Sequence, residues 1–278
     1  MTGNAAWIEL DLLASREKKN MYEDPETGYK VFSTHGLMQR KDCCGCGCRH
    51  CPFGHVEVSS QKRLQLELNP WLENMNTDDK ECDLLAWSGG KDSYLALQAM
   101  LEEDNRPVIL MTTFDGRTEK VAHQDVTLSM IRAQAQALHV PLLLIPLYSR
   151  YPYLKRIEQG LSFLSQTIQI HRFAFGDLHL QHVRDWREKE LKSLIERFSI
   201  CLHFPIWNVD YSQLMEKLER APVRCHLSAV SDERCKQSVN IGDVFDADLI
   251  RSLPTGVDRF GENGEFHTYV SVGQNPNK

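Results

Sequence analysis

Six residues, Ser88-Gly89-Gly90-Lys91-Asp92-Ser93, stand between two segments of opposite character. Before them runs Cys82-Asp83-Leu84-Leu85-Ala86-Trp87, apolar enough for a buried strand. After them runs Tyr94-Leu95-Ala96-Leu97-Gln98-Ala99-Met100-Leu101, which has helical character. A strand, a tight Ser/Gly turn and a helix start form an anion site. Glycine lets the backbone approach closely, and the free N–H groups of a helix N-terminus favour phosphate-like oxygens. Lys91 adds a cation on a flexible stem. The spacing is not that of a Walker A loop, because Asp92 follows Lys91 and Leu85 occupies the place of the first glycine.

From Glu81 onward the pattern alternates. Strands are expected at 82–87, 107–113, 141–146, 171–175 and 200–204. Helices are expected at 92–104, 124–139, 153–168, 178–198 and 210–220. Such alternation predicts an α/β fold, a doubly wound parallel sheet with helices on both faces. Ligands of these sheets sit beyond the carboxyl ends of the strands, where the Ser88–Ser93 loop falls. Beyond residue 221 the pattern weakens, with short strands expected at Pro222–Cys225 and Phe266–Val270. Ahead of the sheet, residues 1–56 read as an N-terminal helix, a short strand and a Cys-rich module. Residues 57–80 read as a linker, and 81–272 as the main domain.

The formal net charge of the 278 residues is −6. Residues 1–80 hold ten Lys/Arg against twelve Asp/Glu, so neither part is basic. A long nucleic-acid footprint is not favoured, since it needs clustered cations. The longest apolar stretch, Val140 to Tyr148, is too short to span a bilayer, and the N-terminus does not read as a secretory signal. A cytoplasmic location without membrane attachment is expected, and a homodimer stays open.

Several polar groups gather at the expected ligand end. Backbone and hydroxyl donors of Ser88, Gly89, Gly90 and Ser93 suit phosphates, with Lys91 as counter-charge. Asp92 reads either as a helix N-cap or as a magnesium residue acting through water. Thr113 ends the second strand, either beside a base or ribose or as ordinary strand. His123 opens the next helix and reads as structural or catalytic. Gly176 and Asp177 follow the fourth strand, and Asp177 suits an N-cap. Spacings of four, three and four then place Asp177, Gln181, Arg184 and Glu188 on one helix face, where Arg184 and Glu188 also suit a plain surface pair. Near the C-terminus, Gly261-Glu262-Asn263-Gly264-Glu265-Phe266-His267-Thr268 brackets a turn with glycines. Alternation beyond it puts Glu265 and His267 on one strand face.

The Ser88–Ser93 loop resembles the Ser-Gly-Gly-x-Asp-Ser loop of the ATP pyrophosphatases, the PP-loop enzymes. Gly176-Asp177 with Arg184, Pro205-Ile206-Trp207 and the Gly261–Thr268 turn follow in order. Together they look like the diphthine–ammonia ligase family within the adenine nucleotide alpha hydrolases, from Glu81 to Val272. That resemblance implies ATP and Mg2+, adenylation of a small-molecule or protein-borne carboxylate with release of AMP and pyrophosphate, and amidation by an ammonia donor. It implies catalytic roles for Lys91, Asp177, Glu265 and His267. It further implies substrate contacts from Arg184, Glu262, Gly264, Glu265, His267 and Thr268, and nucleotide contacts from Ser88 to Ser93, Thr113 and Gly176. The relatives often carry a Pro-Cys pair before the turn. Here Arg259 and Phe260 stand there, which argues against a thiol role.

Five of nine cysteines lie between Cys43 and Cys51. The run resembles small Cys-Cys-Gly-x-Gly-Cys-x-x-Cys-Pro modules, including the oxidoreductase-like domains. Cys43, Cys44, Cys48 and Cys51 are the candidate ligands for zinc or an iron–sulfur cluster, with Cys46 or His50 as substitutes. Reactive or inert reduced thiols are the alternatives. The module also keeps two other functions open: RNA thiolation by a PP-loop enzyme, and a non-catalytic nucleotide-binding interaction protein.

Overall fold

The computed structural model describes residues 3–75, 79–121 and 125–273, with side chains from residue 6 onward. The candidate His123 lies outside the described residues. The N-terminal module comprises α1 (Gly3–Arg16), the antiparallel hairpin β1 (Met21–Glu23) and β2 (Lys30–Phe32), and α2 (Thr34–Met38). Residues 57–80 hold α3 (Ser60–Arg63) and β3 (Trp71–Glu73). The segment expected as a linker thus contributes a strand, which pairs antiparallel with the edge of the main sheet.

The alternating region runs β4 (Glu81–Ala86), α4 (Lys91–Glu103), β5 (Val108–Asp115), α5 (Leu128–Leu138), β6 (Leu142–Leu147), α6 (Tyr153–Leu164) and β7 (Gln169–Ala174). Then come α7 (Gln181–Glu190), α8 (Lys192–Phe198) and β8 (Cys201–His203). The six-stranded sheet has the order β3-β6-β5-β4-β7-β8, and every pair except β3–β6 is parallel. The expected α/β fold with a mostly parallel sheet is therefore present. Successive strands run outward from β4 in both directions. The switch point lies between β4 and β7, so their two following loops face one another across the crevice that binds ligands in such sheets.

Strand alternation builds two cores. Leu85, Leu110, Leu142 and Leu144 face α4 and α5, where Leu97, Ile131 and Ala135 meet them. Leu84, Ile109, Met111, Leu143 and Ile145 face the other way, against Ile157, Leu161 and Leu194 of α6 and α8. Both faces are covered, so the strands need continuous apolar runs. Each buried Leu contributes about 1.5–3 kcal/mol.

The single helix expected over 178–198 is divided at Leu191 and starts later. Leu178 is buried in the first core, and its carbonyl accepts the amide of Asn208 at 2.7 Å. Residues 175–180 therefore form a loop. After it α7 stays polar with no buried residue, while α8 sinks Leu194 into the second core. Beyond α9 (Tyr211–Arg220) come β9 (Val223–Val230), α10 (Ala247–Ser252) and β10 (Phe266–Val272). β9 and β10 pair antiparallel in a two-stranded ribbon, and Cys225, Leu227, Phe266 and Val270 join the first core.

Candidate active site

The loop after β4 is held open from behind. Gly89 has φ +81°, and its carbonyl accepts the amide of Val270 at 2.9 Å and the side-chain amide of Gln134 at 2.8 Å. Gln134 also donates to the Val270 carbonyl at 2.6 Å. Gly90 caps α4 in extended backbone; a Cβ there would stand 2.9 Å from the Thr268 carbonyl oxygen. Lys91 N–H donates to Thr268 Oγ1 at 3.1 Å, and Ser93 Oγ donates to the Gly90 carbonyl at 2.9 Å. Thr268 thus braces the loop, 177 residues along the chain from Lys91. Asp92 is the second residue of α4, since Gly90 is the cap.

The loop after β7 closes against the first. At Gly176 an added Cβ would lie 2.7 Å from the carbonyl oxygen of Asp92 and 3.0 Å from Ser93 N. Only glycine permits this approach. Asp177 is not an N-cap, because α7 begins at Gln181. Its carboxylate instead accepts Nε and Nη2 of Arg187 at 2.5 and 2.9 Å. Arg184 turns away from the cavity described below, bonds Glu188 at 2.9 Å and lies over Phe204 and Trp207. The plain surface pair is what forms there.

The turn at 261–268 separates its own carboxylates. Glu265 is buried, and its oxygens accept the amides of Asp258 at 2.9 Å and Asn263 at 3.0 Å and the Asn263 side chain at 3.2 Å. These contacts consume the carboxylate in holding the turn, and Glu265 does not line the cavity. The expected shared face with His267 is absent, because Glu265 precedes β10. Glu262, Gly264, His267 and Thr268 do reach the wall.

These three segments bound one cavity of about 450 Å³. Ser88, Gly90, Lys91, Asp92, Ser93, Thr113, Gly176 and Asp177 line it, joined by Met111, Tyr153, Phe175 and Arg187. Gly89 lies behind the wall as a support. Tyr153, Phe175 and Arg187 were not singled out from sequence. The Arg187–Asp177 pair spans ten residues, and no local periodicity marks it.

Charge in the cavity is crowded. The Lys91 ammonium donates to Asp92 Oδ2 at 2.8 Å and lies over the rings of Phe245 and Phe260 at 5.5 and 5.1 Å. Phe260 is thus the floor beneath that cation. Burial raises the Asp92 carboxyl, and Lys91 offsets this in part. Burial, with Asp92 nearby, pushes Glu262 up to about 8. Asp92 Oδ1 is shut off from solvent with no hydrogen-bond partner. One orphaned carboxylate oxygen beside a phosphate loop fits Mg2+, which commonly takes one or two carboxylates and completes its shell with phosphate and water.

In the N-terminal module the thiols pair. Cys44 and Cys48 sulfurs are 3.5 Å apart, and Cys43 and Cys51 sulfurs 3.9 Å. Among the described residues no group of three or more His, Cys, Asp or Glu stands close enough to hold a metal ion. The four candidate thiolates stand as two pairs, Cys43 with Cys51 and Cys44 with Cys48. Gly45 and Gly47, both at positive φ, turn the chain between the cysteines. His50 is also engaged elsewhere, its Nε2 2.7 Å from the Tyr22 hydroxyl. The amide of Cys46 and the Cys48 thiol lower Cys44 to about 7, whereas burial lifts Cys48 and Cys51 to about 11. No helix among the described residues is long and apolar enough to cross a membrane.

Residues 83–194 match the family described as diphthamide synthase N-terminal domain. Residues 11–57, which carry the cysteines, match a family of unknown function (DUF5522). Among solved structures, a predicted subunit of tRNA methyltransferase from Methanocaldococcus jannaschii is similar at 19% identity and TM-score 0.38, over 69% of this chain and 97% of its own. The first match takes in both loops that face each other at the switch point, and the C-terminal ribbon lies beyond it. Residues 83–194 are a diphthamide synthase N-terminal domain of the PP-loop ATP pyrophosphatase family, preceded in this chain by a domain of the DUF5522 family.

Proposed function

We propose that the domain adenylates a carboxylate with ATP and that ammonia then converts the acyl adenylate into an amide. The observation that carries this reading is convergence. The Ser88–Ser93 loop, the Gly176–Asp177 loop and the Gly261–Thr268 turn meet around one cavity, though they are far apart in sequence. Amides at the start of α4 receive the phosphate oxygens. A substrate carboxylate oxygen attacks the α-phosphorus in line. The bond to the α–β bridging oxygen breaks, and pyrophosphate leaves with the electron pair. Catalysis at this step is mainly positioning and charge neutralisation, the task of Lys91 and the helix N-terminus. When bound, Mg2+ neutralises the phosphates, and Asp92 is the residue that would hold it.

In the second step the nitrogen lone pair of ammonia attacks the acyl carbon and AMP departs. The amine must lose a proton. Glu262, raised to about 8, ionises in the range where a base is useful near neutral pH. His267 lines the same wall. The acid is a small molecule or a protein side chain. None of Cys43 to Cys51 lines the cavity, so the thiolation alternative lacks a thiol from that module at the wall.

The test is product analysis with full-length protein, MgATP, ammonium and a panel of carboxylates including diphthine-bearing protein. AMP, pyrophosphate and an amide are expected. ADP and phosphate would overturn the reading.

A further inference from the structure

Among the described residues, the Lys, Arg, Asp and Glu side chains that line the cavity are Lys91, Asp92, Asp177, Arg187 and Glu262. Three are carboxylates, yet the cavity is read as the seat of a polyanion. Of the two cations, Lys91 is already bound to Asp92 and packed over two rings. Arg187 differs in how it is held. Phe175 lies beneath its guanidinium, with the carbon 4.1 Å from the ring centre. Asp177 takes Nε and one Nη2 proton along one edge. The plane and the tilt of the group are both fixed by these two contacts. An arginine has five N–H donors, and Asp177 takes two of them. Nη1 lies outside that pair, and the side chain is part of the cavity wall.

We propose that Arg187 binds the phosphate chain of the nucleotide, with Asp177 and Phe175 as its positioning residues. The inference rests on the ATP reading of this cavity and adds to it the second cation that the loop lacks. A planar donor fork held at fixed tilt recognises two phosphate oxygens at once, which a lysine cannot do. Asp177 then acts through Arg187, not on the reacting atoms. The same two contacts also tie α7 to the end of β7. A purely structural role must therefore be separated from phosphate binding.

Calorimetric titration of the full chain with MgATP and with adenosine makes that separation. Arg187→Ala is expected to weaken MgATP about tenfold or more, as for loss of a charge-assisted hydrogen bond, and to leave adenosine unchanged. Arg187→Lys, which keeps charge and bulk, should lose less and hold its melting temperature. It serves as the readout if the alanine variant does not fold. Lys189→Ala, on the same helix, exposed and outside the cavity, should bind both ligands as wild type does. Wild-type MgATP affinity in Arg187→Ala, or in Arg187→Lys if the alanine variant does not fold, overturns the proposal, as does an equal loss of MgATP and adenosine. If wild-type protein binds no MgATP, the ATP reading fails along with it. If wild type binds and Arg187 variants match it, only the role of Arg187 fails.

Discussion

Gly176 shows how one missing carbon sets the site. The backbone after β7 comes so close to the first turn of α4 that a methyl group would stand 2.7 Å from the Asp92 carbonyl oxygen. Neither backbone can give way cheaply, because both belong to sheet-anchored loops. Gly176→Ala should cost about 1–3 kcal/mol of stability, as overpacking does, and should weaken MgATP binding by displacing the loop. Urea denaturation and nucleotide titration check this. An unchanged midpoint with normal binding would mean that the two loops are not packed as described.

Glu262 gives a signed pH prediction. Its carboxyl is raised above the ordinary value of 4.5 to about 8, first by burial and then by Asp92. Between those values the folded state holds a proton that the unfolded state has released. Stability from this group is thus complete below about 4.5 and declines as pH rises through about 8. Glu262→Gln removes the decline, so the variant should gain melting temperature relative to wild type at pH 9 and not at pH 4. Activity should move oppositely. Amide formation in wild type should rise with pH through that range, and Glu262→Gln should flatten the profile. A wild-type profile that falls across it would exclude Glu262 as the base.

At the scale of elements, the β9–β10 ribbon is the part that reaches across. Val270 and Thr268 bond the phosphate loop from behind, and Gln134 of α5 ties loop and ribbon together. Gln134→Leu would leave the Val270 carbonyl without its Gln134 donor, at about 1–3 kcal/mol, and the Gly89 carbonyl with the Val270 amide alone. It would also free the Trp87 indole N–H, which donates to Gln134 Oε1 at 2.9 Å. Hydrogen exchange should then speed up at both the loop and β10. Acceleration confined to α5 would show that the ribbon does not brace the loop.

The main strands were legible because both faces of the sheet are buried. Runs such as Leu142-Leu143-Leu144-Ile145 read as strand with little ambiguity. The ribbon was only half legible. Phe266–Val272 alternates clearly, whereas β9 extends to Val230 through Ser228 and Ala229, which carry a weak strand signal. Arg187 stayed hidden for a different reason. A helix assumed to begin at Asp177 puts Arg184 in phase with it, but Leu178 pulls the chain into the core first. The helix starts at Gln181, and the partner of Asp177 is set by that delayed start.

For the whole molecule, the question is whether the DUF5522 domain and the ATP domain fold as one unit. The packing argues that they do. Ile8 and Leu12 of α1 cluster with Tyr148 and Tyr151 of the main domain. The stretch between the domains is fastened at Leu68, whose amide donates to Tyr148 Oη at 2.9 Å and whose carbonyl accepts Arg156 at 2.7 Å. Arg156 is buried, and burial lowers it to about 10. It also donates to the Pro146 carbonyl at 2.7 Å and to Gln159 at 2.6 Å. One cation therefore closes three acceptors at the seam. Its removal would leave buried oxygens unsatisfied, at about 1–3 kcal/mol each. Wild-type protein should melt in a single calorimetric transition whose calorimetric and van't Hoff enthalpies agree. Arg156→Met, similar in length but unable to donate, should lower the transition or split it in two, with the thiols of Cys43 and Cys51 becoming open to alkylation in the earlier step. Two transitions in the wild type would mean that the seam is too weak to couple the domains. The cysteine module would then be free to act independently of the cavity.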